Sequence, residues 1–195
     1  AKKAGFRTVT VRNDIGVREF HHALREFREQ ADGAEVAMVY YAGHGIEANG
    51  RNWLIPTDAA LADDRDLPGE AIELNHVMDA ITGATLRLVV LDACRNNPFG
   101  RSWRKGGRAV GRGLAQVEAD DVLVIYAAAP GQVAADGAGN NSPFATALAK
   151  RIVEPGLPVQ MLGGAIRDDV LSATGGKQRP FVSASITGAA LYLVR

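Results

Sequence analysis

Leu86-Arg87-Leu88-Val89-Val90-Leu91-Asp92-Ala93-Cys94-Arg95-Asn96-Asn97-Pro98 is the stretch on which the fold of this chain turns. Its first six residues are apolar apart from Arg87 and rich in Leu and Val, which predicts a strand buried on both faces. The run then breaks into a polar turn that carries the only cysteine of the 195 residues. A second stretch has the same form: Val36-Ala37-Met38-Val39-Tyr40-Tyr41, followed by Ala42-Gly43-His44-Gly45. Two hydrophobic strands, one leading to a histidine and one to a cysteine, organise the rest of the reading.

Outward from these strands, the period changes along the chain. Ala1 to Gly5 reads as the last turn of a helix stopped by glycine, and Phe6 to Val11 alternates like a strand. From Gly16 to Gln30, Val17, Phe20, Leu24 and Phe27 recur at spacings of three and four, predicting an amphipathic helix. Asn49-Gly50 is a two-residue hairpin signal, and the acidic segment from Asp58 to Pro68 reads as a loop. Ala71 to Ile81 is expected to form the next helix, and Val122 to Ala129 a third buried strand. Ser142-Pro143 makes an N-cap and first-turn pair for a helix through Phe144, Leu148 and Ile152. A further helix carries Val159, Leu162, Ile166 and Val170, and the chain ends on an extended Phe181–Ser185 and a strand at Ala190–Val194. Strands separated by helices, with continuous hydrophobicity, predict an α/β fold with a mostly parallel sheet covered on both faces. The functional crevice of such a sheet lies at the carboxyl ends of its strands, where both the histidine and the cysteine fall.

Composition narrows the classes. The 22 basic and 22 acidic residues cancel, so no global field favours nucleic acid or an anionic membrane. No apolar run has the length of a membrane span, and no signal-peptide pattern opens the chain. A lone cysteine makes no internal disulfide, so the fold needs no oxidising compartment, and a soluble, cytoplasmic setting is favoured. The length fits a single domain spanning residues 1–195.

The chemistry of the two strand ends is that of acyl transfer. Cysteine is a strong nucleophile as thiolate, and histidine, titrating near neutrality, can take the thiol proton and pass it to a leaving amine. The amides of Gly45 and Cys94 are candidate donors to the developing oxyanion. A side-chain period of two puts Asp92 on the face of Cys94 and Ala42 on the face of His44. A carboxylate beside the nucleophile suits a basic substrate side chain.

Tyr41-Ala42-Gly43-His44-Gly45 and Leu91-Asp92-Ala93-Cys94-Arg95 resemble the His and Cys motifs of the caspase-like cysteine peptidases, the clan of caspases, metacaspases and bacterial orthocaspases. Fifty residues separate His44 from Cys94, against a spacing of about 50 in that clan. The similarity extends to Gln132-Val133-Ala134-Ala135-Asp136, to Asn141-Ser142-Pro143-Phe144 and to Ser185-Ile186-Thr187-Gly188. The resemblance implies a three-layer caspase-like sandwich and a cysteine endopeptidase with Cys94 as nucleophile and His44 as acid/base. It also implies that Asp92 lines the primary specificity pocket, with Ala42 and Asp136 beside it, and that cleavage follows Arg or Lys. Three departures stand out. Metacaspases usually carry Ser where this chain has Ala42, Arg95-Asn96-Asn97 replaces small residues after the nucleophile, and the family's first strand and most of its first helix precede Lys2.

Other readings sit beside this one. Cys94 is alternatively an inert buried thiol, and the whole chain a caspase-like scaffold or binding module without turnover. A flavodoxin-like nucleotide binder is disfavoured because Gly43-His44-Gly45 lacks the further glycine of a dinucleotide fingerprint. His21, His22 and His76 are expected at the surface of helices, and Ser142 as a helix cap. No cofactor is required. Asp58, Asp63, Asp64 and Asp66 resemble the calcium site of some metacaspases, although a solvated loop is the plainer reading. The expected partner is a peptide or protein with a basic residue at the cut. Loop 100–113, with Arg101, Arg104, Lys105, Arg108 and Arg112, is then a candidate site of self-processing.

Overall fold

The computed structural model describes residues 1–94, 114, 121–129, 132, 134–135, 137, 139 and 141–195, with Cys94 described by its backbone. Loop 100–113, Arg95-Asn96-Asn97 and Asp136 lie outside the described residues.

Among the described residues six strands form one sheet: β1 (Val36–Ala48), β2 (Arg51–Ile55), β3 (Ile72–Glu73), β4 (Leu86–Cys94), β5 (Val122–Tyr126) and β6 (Phe181–Ser185). Their order is β3-β2-β1-β4-β5-β6. The parallel arrangement expected for the whole sheet holds for its centre, β1–β4–β5, whereas β2, β3 and β6 are antiparallel to their neighbours. At one margin the cause is local. Asn49 and Gly50 have φ of 54° and 75°, the positive pair that a two-residue hairpin matched to strand twist requires, so β2 must fold back on β1.

Helices cover both faces. Helix α1 (Val17–Ala31) presents Phe20 and Leu24, and α3 (Leu74–Asp79) presents Leu74, Val77 and Met78, to Val89, Leu91, Val124 and Tyr126. On the opposite face α4 (Pro143–Arg151) and α5 (Val159–Ala173) pack Phe144, Leu148, Ile166 and Val170 on Leu88, Val90, Leu123 and Ile125. The alternation of these two sets along β4 and β5 is why neither strand shows polar alternation in sequence. Arg87 is the exception, and its guanidinium donates to the Asp121 carbonyl 3.2 Å away at the start of β5.

Three expectations for local structure change. Phe6–Val11 pairs with no strand among the described residues; Phe6 instead packs into the α4/α5 core. Alternation sets which side chains face inward, but a ladder also needs a partner edge. The helix foreseen at Ala71–Ile81 begins only at Leu74, because Ile72 and Glu73 pair with Leu54 and Trp53; a short α2 (Leu67–Glu70) precedes them. At the carboxyl end the expected strand reduces to one bridge, Pro158 to Tyr192. Lys2–Ala4 does form a last helical turn, of 3-10 type, closed by Gly5 in the left-handed region at φ 85°. Among the described residues no helix is long and apolar enough to cross a membrane.

The amino end of α1 is capped from a distance. Gly16, at the N-cap, has no side chain to accept a hydrogen bond, and the Asp58 carboxylate takes that role from the Val17 amide at 2.9 Å. A Cβ on Gly16 would lie 2.2 Å from Asp58 Oδ2, so the glycine makes room for the cap.

Candidate active site

The His and Cys segments are not turns, as the sequence suggests, but continuations of their strands. β1 runs on to Ala48 because its far half serves as partner to β2, and the parallel register with β4 continues without interruption to His44 opposite Cys94. The same register sets Ala42 opposite Asp92. Ala42, His44 and Asp92 lie on the α4/α5 face, since they share the parity of Leu88 and Val90 in β4 and Met38 in β1. Ala42 and His44 are exposed at this end of the sheet.

The two glycines beside His44 have separate physical reasons. Tyr41 points to the opposite face, stacks on Phe20 at 6.0 Å between ring centroids, and sends its hydroxyl back to the strand. That oxygen lies 2.8 Å from the His44 carbonyl and 3.1 Å from the Ile55 carbonyl, so one proton is shared between two acceptors that end the β1–β2 ladder. Burial pushes the Tyr41 phenol up, beyond any physiological range, and the hydroxyl remains a donor. A Cβ on Gly43 would come within 2.6 Å of this oxygen. The second glycine, Gly45, is buried beneath Leu114, whose side chain lies 2.9 Å from where a Cβ would stand. Within the chain the two glycines admit Tyr41 and Leu114.

Hairpin geometry orients the Gly45 amide. A two-residue loop is flanked by a hydrogen-bonded pair, here Ala48 and Arg51, and such pairs alternate along an antiparallel ladder. Gly45 and Leu54 therefore form a non-hydrogen-bonded rung, and the Gly45 N–H points away from β2, to the side of β4.

Asp92 is partly buried and held by two hydroxyls. Tyr40 Oη donates to its Oδ2 at 3.0 Å, and Ser142 Oγ donates to the same oxygen at 2.6 Å. Ser142 also accepts from the Ala145 amide at 2.9 Å, the N-cap bond of α4 that its sequence position predicts. Tyr40 is the residue the sequence reading missed. Its signal was the period of two, which puts residues 40, 42 and 44 on one face of β1.

The other candidates do not join this group. His21 on α1 and His76 on α3 pack side by side with ring centroids 5.7 Å apart. Burial, and then the positive charges of His76 and Arg25, holds the His21 imidazole below its ordinary range. The four acidic residues from Asp58 to Asp66 each have a partner within the chain. Asp58 caps α1, Asp63 binds Arg65, Asp64 accepts from Asn49, and Asp66 accepts from the amides of Ala62 and Asp63. Among the described residues no group of three His, Cys, Asp or Glu is placed to hold a metal ion.

Comparison with known proteins agrees with this architecture. A family model of the caspase domain matches residues 1–191. Among solved structures, the crystal structure of caspase-1 from Spodoptera frugiperda superimposes with a TM-score of 0.68 at 17% identity, covering 100% of this chain and 77% of that one. At that identity the likeness is one of fold. No curated protein matches the chain by sequence.

Proposed function

The chain belongs to the caspase-domain family of cysteine peptidases, and from that premise we propose that it is an endopeptidase cutting after Arg or Lys by a Cys94–His44 dyad. The observation that carries the reading is the β1–β4 register, which pairs His44 with Cys94 and Ala42 with Asp92 at the carboxyl end of adjacent parallel strands. His44 takes the Cys94 thiol proton, and the thiolate adds to the carbonyl carbon of the scissile bond. The oxyanion is held by the amides of Cys94 and Gly45. Collapse of the adduct expels the amine, which receives its proton from His44, and water then cleaves the thioester to regenerate the thiol. Asp92 meets the positive charge of the side chain before the cut, over a floor that includes Ala42, with Asp136 as a further pocket residue.

One observation favours a second reading, a caspase-like binding module without turnover: Ala42 stands where metacaspases usually carry Ser. Fluorogenic peptides ending in Arg, Lys, Asp or Ala, offered to the native chain, Cys94→Ala and His44→Ala, separate the two. Cleavage after Arg and Lys, abolished by Cys94→Ala and reduced by His44→Ala, is the expected result. Equal rates for the native chain and Cys94→Ala would sink the mechanism, and preference for Asp over Arg would sink the role of Asp92.

A further inference from the structure

We propose that Tyr40 and Ser142 are positioning residues that fix the Asp92 carboxylate for a basic side chain, so that selectivity depends on three elements, β1, β4 and the start of α4. The proposal rests on the reading of Asp92 as the selector.

Geometry supports it in three ways. Both hydroxyls donate to one oxygen, Oδ2, at 3.0 Å from Tyr40 and 2.6 Å from Ser142, which pins the rotation of the carboxyl group. The residue that faces Asp92 across the ladder, Ala42, has no hydroxyl, so donors must come from elsewhere. Ser142 is itself held, because its oxygen also accepts the Ala145 amide and is thereby tied to the first turn of α4. A carboxylate already oriented by donors loses less freedom when it meets a guanidinium or ammonium group. The Tyr40 phenol is pushed up by burial and then by the charge of Asp92, so it stays a donor wherever Asp92 is ionised. Ser142 lies fifty residues beyond Asp92; its cap role hides this second bond from any local reading.

Equilibrium binding tests the proposal without requiring turnover. Two fluorescein-labelled peptides, alike except for Arg or Gln at the cut position, are titrated into the full chain carrying Cys94→Ala and followed by anisotropy. Tyr40→Phe and Ser142→Ala, each added to that background, are expected to lower the Arg-over-Gln affinity ratio by roughly fivefold to tenfold, the net scale of one ordinary hydrogen bond. Ser142→Thr keeps the ratio. Ser142→Gly keeps a serviceable helix N-cap but has no hydroxyl to donate to Asp92, and it should remain as unselective as Ser142→Ala. Recovery of the ratio in Ser142→Gly would show that Ser142 acts only through the helix and would overturn its part. If Asp92→Ala erases the ratio while Tyr40→Phe and Ser142→Ala preserve it, the positioning role fails and the selector role of Asp92 survives. If Asp92→Ala leaves the ratio intact, or no Arg preference exists, both fall together.

Discussion

Gly43→Ala tests the account of the His44 segment most directly. The new Cβ would sit 2.6 Å from Tyr41 Oη and 2.8 Å from Cζ, well inside contact distance, and Tyr41 is not free to step aside. Its ring stacks on Phe20 and its hydroxyl is shared between the His44 and Ile55 carbonyls. Moving the ring forfeits that hydrogen bond, about 1 kcal/mol, and part of the aromatic contact, roughly 0.5–1.5 kcal/mol. Residual crowding adds about 1 kcal/mol, for a total of roughly 2.5–3.5 kcal/mol. On a chain of this length such a loss lowers the thermal midpoint by about 5–14 °C. Tyr41→Phe alone should cost about 1 kcal/mol. In the double variant that bond has already been lost, so the combined cost should equal that of Gly43→Ala alone, a coupling of about 1 kcal/mol. Urea unfolding of the four proteins measures the cycle. A Gly43→Ala chain within about 0.5 kcal/mol of the parent, or strictly additive costs, would refute the proposed contact between Tyr41 and the His44 backbone.

Two further outcomes follow from packing and charge. Asp58→Ala should remove the cap of α1 at a cost of about 1 kcal/mol, and Gly16→Ser should recover part of it only when Asp58 is absent, because the two side chains compete for one space; thermal melting of the three variants reads this, and a stable Gly16→Ser in the Asp58 background would contradict it. The Arg151 guanidinium binds Asp169 through two nitrogens at 2.8 and 2.7 Å and, assisted by Lys150, holds its carboxyl down at about 2. A depressed folded-state value means that the α4–α5 pair stabilises the fold above the ordinary carboxylate range and loses that contribution as pH falls from about 4 towards 2. The stability difference between the native chain and Asp169→Asn should therefore be constant near neutrality and close over that acidic window; a difference unchanged down to pH about 2 would exclude the link.

Periodicity and short-range chemistry account for what was legible in the sequence. Continuous apolar runs at Val36–Tyr41 and Leu86–Leu91, set between helical repeats, specify buried strands and an α/β sandwich. Asn49-Gly50 specifies a hairpin, and Ser142-Pro143 a helix start, because each acts on its own backbone. The spacing of His44 and Cys94 located the candidate site before any geometry was known. Tertiary structure decided everything that depends on a partner distant along the chain. Phe6–Val11 has the alternation of a strand but no partner edge among the described residues, whereas Ile72–Glu73, inside an apparent helix, finds β2. Asp58 caps a helix 41 residues before it, and Asp92 meets Tyr40 across the ladder and Ser142 across a loop. A sequence states which residues prefer burial and which backbone turns are cheap. Which hydroxyl reaches which carboxylate is settled only when register and packing bring separate elements to within 3 Å.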